Sequence, residues 1–156
     1  MVQVMKVYGI SAITLKVKDM ERSCSLYSKI PGFRLAYGGE PSDYFTTFEI
    51  GKESKTAKIT YLNLELKGGG GGGEESGGYN FYRKSNPKKK SKGNEDFGRV
   101  IFHTENVDGL YSYMKNDERI SKLVIFENEP TNAPWGERFF HVREPDGYQL
   151  SFAQPL

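Results

Sequence analysis

The side chains best suited to chemistry share one short predicted strand, residues 99–103. The alternation of a strand places Arg99, Ile101 and His103 on the same face. The chain has two histidines, His103 and His141, and an imidazole can bind a metal, transfer a proton or hydrogen-bond within a polar wall. Arg99 allows two interpretations: a strand-end arginine that reaches solvent or pairs with a carboxylate, or a clamp for a ligand carboxylate or phosphate.

Trp135 and Cys24 can each be interpreted as a packing residue or as a functional residue. Trp135 follows a proline in NAPWGERFF, and its indole either plugs the core beside a hairpin or stacks on a planar ligand. Cys24 is the only cysteine and falls on the predicted core face of a helix, so buried packing is expected rather than nucleophilic chemistry. A single cysteine cannot form an internal disulfide and fits a reducing compartment.

The elements that position these residues form a repeat. SAITLKVKDMERSCSLY and GRVIFHTENVDGLYSYM each begin with an alternating strand, followed by a predicted helix N-cap at Asp19 or Asn106. Both helices then show i, i+3, i+4, i+7 spacing on one face. The two matching stripes are Met20, Ser23, Cys24 and Tyr27, and Val107, Leu110, Tyr111 and Met114. Three strand-like runs follow each helix, so each half is predicted as β-α-β-β-β, and two such units are expected to pack together.

The predicted organisation is one α+β domain made of two modules, residues 1–67 and 97–156, joined by an insertion at 68–96. The insertion contains six consecutive glycines and a KKK run, which favours a flexible, solvated loop over a nucleic-acid contact. Its aromatic stretch YNFY could fold back over a pocket as a lid.

The charge balance excludes several partners. The chain carries 22 basic and 20 acidic residues, a formal charge of +2, which argues against a dedicated nucleic-acid or membrane surface. No run approaches the roughly 20 apolar residues of a membrane span. We therefore expect a soluble cytoplasmic protein.

Two long stretches resemble a known superfamily. ITLKVKDMERSCSLYSKIPGF resembles the opening of a vicinal oxygen chelate module, and WGERFFHVREPDGYQLSFAQPL resembles the closing hairpin and tail of one. This superfamily includes glyoxalase I, the bleomycin resistance proteins, fosfomycin-modifying enzymes and extradiol dioxygenases. The resemblance implies two β-α-β-β-β modules that form a curved mixed-sheet cup. It implies little about the reaction, because one fold carries many functions.

In the enzymes of that superfamily the cup holds a divalent metal, with His or Gln ligands from the first strand of each module and Glu from the last strand. The corresponding positions here are Ala12, Arg99 and Ser151, with a fourth at Asn63 and with Glu65 next on the same face. Alanine has no donor atom, arginine repels a cation and serine is a poor ligand. The resemblance therefore implies a degenerate metal site and no cofactor.

The expected function is that of a metal-free protein that binds and sequesters a small organic molecule, as a homodimer. The alternative is a metal-dependent lyase, isomerase or dioxygenase in which displaced ligands hold Zn, Ni, Mn or Fe; His103 and Glu65 are the catalytic candidates. A third possibility is an interaction module whose basic insertion binds an acidic partner. The candidate ligand-binding residues are Arg99, His103, Lys16, Trp135, Tyr61, Asn63, Gln149 and Ser151.

Overall fold

The computed structural model describes residues 9–68 and 97–156. The first module contains β1 (Ala12–Val17), α1 (Met20–Tyr27), β2 (Phe33–Tyr37), β3 (Phe45–Ile50) and β4 (Thr60–Leu66). The second module contains β5 (Arg99–His103), α2 (Val107–Asn116), α3 (Glu118–Ser121), β6 (Ile125–Phe126), β7 (Thr131–Ala133), β8 (Glu137–Arg143) and β9 (Gln149–Pro155). The predicted β-α-β-β-β order is confirmed, and the second module adds α3 and β7.

Each module forms one mixed sheet, and the two sheets have matching topology. The strand orders are β1-β4-β3-β2 and β5-β9-β8-β6, with β7 paired to β8. The first strand of each module runs parallel to the last, so that Ile13 lies beside Leu62 and Val100 lies beside Leu150. These registers confirm the predicted alignment of the modules, in which Asn63 corresponds to Ser151.

Both helices begin at the predicted caps. The carboxylate of Asp19 accepts a hydrogen bond from the backbone N–H of Arg22 at 3.0 Å, and the amide oxygen of Asn106 accepts one from Gly109 at 2.9 Å. Such caps satisfy backbone donors that the first helical turn leaves unpaired. Cys24 is a free, buried thiol on α1, as its position in the helical stripe predicts.

The first strand of each module buries one face and leaves the other open. In β1, Leu15 and Val17 are buried while Lys16 is exposed, and in β5 Val100 is buried between exposed Arg99 and Ile101. The buried faces and the helices share one hydrophobic core that spans both modules. The ring of Phe33 meets that of Phe102 at 5.1 Å across this core. The open faces are therefore the walls available to a ligand.

The turn between β8 and β9 joins the modules. Gly147 adopts a φ of 87° in this turn, which a residue with a Cβ rarely tolerates. The buried carboxylate of Asp146 accepts hydrogen bonds from the N–H of Lys18 at 2.8 Å and from the hydroxyl of Ser23 at 3.2 Å. The phenol of Tyr148 accepts from the N–H of Lys16 at 3.1 Å and donates to its carbonyl at 3.0 Å. The turn thus contacts the edge of β1 and the start of α1.

β6 contains only two residues, Ile125 and Phe126. The amide oxygen of Asn128 accepts the N–H of His141 at 2.8 Å, where a regular ladder would use a backbone carbonyl. Pro130 follows and has no N–H to donate. The side-chain bond and the proline together explain why β6 ends at Phe126.

Most of the expected insertion lies outside the described residues. That segment includes the YNFY stretch and the basic run, so the lid and the acidic-partner interpretation stay predictions. Among the helices that the structure describes, none has the length and apolar character needed to cross a membrane.

Candidate ligand-binding face of the second sheet

The middle of the open face of the second sheet is built from small side chains. β9 places Ser151 and Ala153 there, and both are almost fully buried, with exposed fractions of 3% and 1%. The neighbouring strands carry larger side chains that cover them, Ile101 and His103 on β5 and His141 and Phe139 on β8. The side chains of β5 and those of β8 can therefore approach each other above Ser151 and Ala153.

One contact across this face joins Arg99 to His141. Nη1 of Arg99 lies 3.3 Å from Nε2 of His141. A guanidinium can only donate, so Nε2 accepts and the ring proton lies on Nδ1. Burial, followed by the positive charge of Arg99, lowers the pKa of His141 and favours the neutral ring. Nδ1 is buried and has no hydrogen-bond partner among the described residues.

A second contact joins His103 to Glu137. Nε2 of His103 lies 3.4 Å from Oε1 of Glu137, and Oε2 accepts the indole N–H of Trp135 at 3.0 Å. One carboxylate therefore holds both the imidazole and the indole. His103 and Glu65, the catalytic candidates of the alternative function, have different partners in the structure: His103 contacts Glu137, and Glu65 contacts Lys16 and Tyr44.

Aromatic rings continue from Trp135 along β8. The indole stacks on Phe139 at a centroid distance of 5.9 Å and an interplanar angle of 21°. Phe139 in turn lies 4.8 Å from the ring of His141. Trp135 is nevertheless 69% exposed, so the interpretation of it as a core plug is wrong. The ring supported by Phe139 keeps much of its surface open to solvent.

The charges beside Arg99 are already paired with each other. Glu127 lies 3.0 Å from Nε of Arg143 and accepts a hydrogen bond from the side-chain amide of Gln149 at 3.1 Å. Within residues 9–68 and 97–156, no carboxylate forms an ion pair with Arg99. Its guanidinium therefore presents donors that no described acid neutralises.

The open face of the first sheet is a network of paired polar groups. Nζ of Lys16 lies 2.7 Å from Glu65, and the phenol of Tyr44 donates to the other carboxylate oxygen at 2.8 Å. The hydrogen bond from Lys16 is the main cause that lowers the pKa of Glu65. Glu65 is therefore an ionised, occupied carboxylate, which suits neither a general acid nor a free base at neutral pH.

A second network on the same face includes Asn63. Its amide oxygen accepts from the hydroxyl of Thr47 at 2.9 Å, and its amide nitrogen donates to Thr14 at 3.3 Å. The predicted site residues thus divide between two walls. Lys16, Tyr61 and Asn63 lie on the open face of the first sheet, and Arg99, His103, Gln149 and Ser151 on that of the second.

The sequence model of the Glyoxalase/Bleomycin resistance protein/Dioxygenase superfamily matches residues 9–152. The chain belongs to this superfamily. Its fold is similar to that of TioX from Micromonospora sp. ML1, at 16% identity and a TM-score of 0.59 over 96% of this chain and 100% of that one. It is also similar to lactoylglutathione lyase from Agrobacterium tumefaciens, at 13% identity and a TM-score of 0.63 over 96% of each chain.

A third similar structure is a superfamily member from Sphaerobacter thermophilus DSM 20745, at 21% identity and a TM-score of 0.58 over 95% of this chain and 98% of that one. No curated protein matches the chain. Likenesses at this level of identity show the fold of the superfamily, and the chemistry has to be argued from the side chains.

The superfamily's metal positions carry unsuitable groups in this chain. The shared register of the modules places Ala12 beside Tyr61 and Arg99 beside Gln149, with Ser151 two residues further along β9. A methyl, a permanent cation and a hydroxyl do not form a site for a divalent metal. No group of three His, Cys, Asp or Glu in the described residues converges to replace them.

Sequence reasoning missed two residues of this face, Glu137 and Phe139. Both alternate with His141 along β8 and therefore share its open side. The alternation was visible in the run ERFFHVR, and it would have placed a carboxylate and a ring beside Trp135. Their partners on β5 depend on strand register, which the run itself does not encode.

Proposed function

We propose that this chain binds a small organic anion on the open face of its second sheet, without a metal, and that Arg99 holds the anionic group. The observation that carries this proposal is the guanidinium of Arg99, unpaired by any described carboxylate, at a position where superfamily enzymes use a metal ligand. A planar guanidinium donates two parallel hydrogen bonds to a carboxylate or phosphate. The permanent positive charge of Arg99 then attracts the anionic group of the ligand, as a bound metal ion does in related enzymes.

The contact with His141 positions the guanidinium of Arg99 before a ligand binds. The ring of His141 accepts from Nη1 and restrains the guanidinium over the face. The low pKa of His141 keeps that ring neutral, so it can continue to accept. A side chain restrained before binding loses less conformational entropy when the anion arrives.

A second wall is needed to enclose a ligand, and we propose that a homodimer supplies it. Large apolar groups are exposed on the open faces, among them Ile101 at 58% and Trp135 at 69%, and clusters of this kind mark surfaces that other molecules cover. Sequestration of the anion in such a cup requires no reaction.

Sedimentation equilibrium tests the dimer, and a monomer at micromolar concentration would contradict it.

Calorimetric titration of metal-stripped protein with benzoate and phenylphosphonate tests the anchor. Arg99→Gln should weaken binding about tenfold or more, since charge-assisted hydrogen bonds contribute roughly 1.5–3 kcal/mol. Arg34→Gln is the matched control, because Arg34 is exposed on β2 of the other sheet. Binding that needs added metal, or that survives Arg99→Gln, would overturn the proposal.

One observation favours a second candidate function, an enzyme. His103 contacts Glu137 at 3.4 Å, and a carboxylate that orients an imidazole is a common acid–base arrangement. A metal site formed by His103 and Glu65 has no such support, because Glu65 forms an ion pair with Lys16. Stoichiometric Zn, Ni, Mn or Fe in untreated protein would favour a metal enzyme over the binding protein.

We also propose a reducing, cytoplasmic location. Cys24 is the only cysteine of the chain and is a free, buried thiol, which suits a compartment where thiols stay reduced. A fusion to a fluorescent protein in the source cells would test this, and an extracytoplasmic signal would contradict it.

A further inference from the structure

We infer that the first module binds a small neutral phenol in a cavity between α1 and β2, on the helix side of its sheet. The cavity has a volume of about 270 Å³, and Cys24, Leu35 and Phe48 contribute its apolar lining. Phe48 belongs to the buried face of β3, so the cavity lies on the opposite side of the sheet from the open face. This inference therefore does not depend on the anion site at Arg99.

The second module fills the equivalent place with aromatic rings. Cys24 on α1 and Tyr111 on α2 are at the same helical position, counted from the two N-caps. Each contacts the neighbouring strand. Sγ of Cys24 lies 3.7 Å from Oγ1 of Thr46, whereas the ring of Tyr111 lies 5.2 Å from the ring of Phe140 in an edge-on contact.

The strand registers support this equivalence. Thr46 lies beside Leu64, and Phe140 lies beside Phe152. Leu64 and Phe152 are equivalent in the alignment of β4 with β9, so Thr46 and Phe140 are equivalent as well. The first module therefore has a thiol and a hydroxyl where the second has two rings, and the difference in side-chain volume accounts for the cavity.

A third exchange opens the mouth of the cavity. Leu35 lies beside Phe48 on β3, as Phe126 lies beside Val142 on β8. Phe126 packs edge-on against Tyr111 at 5.4 Å. Leu35 lines the cavity but remains 53% exposed. A ligand in the cavity would cover this apolar surface and gain the free energy of its burial.

The volume and the lining favour a single uncharged ring. An apolar cavity of about 150 Å³ holds benzene, so this one accommodates a ring with a small substituent. The ring of Phe48 and the polarisable sulfur of Cys24 both favour an aromatic partner. Burial raises the pKa of the Cys24 thiol, which therefore stays neutral. Glu21 and Lys29 place opposite charges at the rim, so neither sign of ligand charge is favoured.

The rim offers partners for a hydroxyl group on that ring. In the second module, Nζ of Lys115 donates a hydrogen bond to the phenol of Tyr111 at 3.1 Å. The equivalent of Lys115 is Ser28, which lines the cavity together with Lys29. A bound phenol can thus place its ring in the cavity and its hydroxyl at the rim, as the side chain of Tyr111 does in its own module.

Titration with phenol and with cyclohexanol, followed by amide NMR, tests the site. The two probes share a hydroxyl group and differ in the aromatic ring. We expect phenol to shift the amide resonances of Cys24 and Leu35 saturably, with a Kd of about 1 mM, as suits so small a ligand. Cyclohexanol should bind about three- to tenfold more weakly. Equal affinities would overturn the aromatic assignment, and shifts that do not saturate would overturn the site.

Two substitutions at Cys24 locate the ligand. Cys24→Tyr supplies the ring that the second module has at this position, and it should raise the Kd for phenol about tenfold or more, because the ring takes up the space. Cys24→Ala leaves the cavity open and should keep the Kd within about threefold of the wild-type value. Unchanged binding to Cys24→Tyr protein would contradict the inference.

Ser28→Phe tests the site without changing a buried position. Ser28 is exposed at the end of α1 and lines the cavity, so a phenyl group there should obstruct the mouth and weaken phenol binding about tenfold. Ser112→Phe is the matched control, because Ser112 is exposed on α2, and it should leave the Kd unchanged. Equal affinity of these two variants for phenol would place the ligand elsewhere and overturn the inference.

Discussion

The phenol of Tyr27 donates a hydrogen bond to Oε2 of Glu144 at 3.3 Å, and both side chains are buried where the two modules meet. Oε1 of Glu144 accepts the N–H groups of Asp146 and Tyr148. Burial is the main cause that raises the pKa of Glu144 to about 7, and the nearby Asp146 carboxylate adds to the effect. The junction therefore contains an acid that can titrate near neutrality.

Stability should fall as the pH rises through this range. The pKa of Glu144 is about 4.5 when unperturbed and about 7 in the folded chain, so the folded state favours the protonated acid. Its contribution is fully present below about pH 4.5 and is lost as the pH rises through about 7. The loss is at most on the order of 3 kcal/mol, at 1.36 kcal/mol per pKa unit. Urea unfolding at pH 5 and pH 8 measures it.

Glu144→Gln gives the matched comparison. A neutral amide cannot ionise, so the variant should lose less stability than the wild type between pH 5 and pH 8. Glu53→Gln changes an exposed carboxylate of the first module and should leave the wild-type slope unchanged. Equal pH dependence in wild type and Glu144→Gln would show that Glu144 ionises freely in the folded chain.

Tyr148→Phe tests the hydrogen bonds that tie the turn to β1. The phenol bonds to both backbone groups of Lys16, and the ring packs edge-on against Phe97 at 5.2 Å. The substitution removes only the hydroxyl and should cost about 1–3 kcal/mol, because two backbone groups lose a partner. Thermal unfolding against Tyr61→Phe, an exposed residue on β4, is the measurement. A change below about 0.5 kcal/mol would show that water replaces the phenol.

The fold was predictable because its signals are local. Alternation along residues 12–17 and 99–103, the caps at Asp19 and Asn106, and the spacing in α1 each depend on a few neighbouring residues. The structure confirms all of them, and the parallel registers confirm the alignment of the two modules. Alternation also placed Arg99 and His103 correctly on one open face.

The partners in the site were not predictable to the same degree. His103 reaches Glu137 because β9 carries the small Ala153 between His103 and Phe139 in the strand register. That register is a property of two strand pairings and the turn between them. Lys16 neutralises Glu65 because β1 lies parallel to β4, a pairing that the sequence of β4 alone does not reveal.

Metal binding provides a direct test of the altered ligand positions. Added Zn²⁺, Ni²⁺ or Mn²⁺ should not raise the melting temperature of the wild type, and dialysis should leave no stoichiometric metal. Arg99→His combined with Ser151→Glu places a new imidazole and a carboxylate near His141. Metal at a hundred times its Kd should then stabilise that variant by about 2.7 kcal/mol.

The control for this test carries the same substitution types at separated positions, Arg119→His on α3 and Ser54→Glu after β3. It should gain no metal-dependent stability. A wild-type protein whose melting temperature rises with stoichiometric metal would contradict the proposal of a metal-free site. If metal does not stabilise the double variant, the side chains at positions 99 and 151 do not converge on one point, as the ligands of a metal site must.

The titration of His141 tests the contact that restrains Arg99. Burial and then the charge of Arg99 lower the pKa of His141 below its ordinary value of 6.5, with Glu127 opposing and Arg143 adding to the effect. Arg99→Gln removes a cation 3.3 Å away, so the pKa should rise, because protonating the ring no longer opposes a neighbouring charge. Proton NMR of the ring resonances measures this, and His103→Gln assigns the signals, since the chain has two histidines. An unchanged pKa in Arg99→Gln would place the guanidinium away from His141 in solution and leave the anchor without its support.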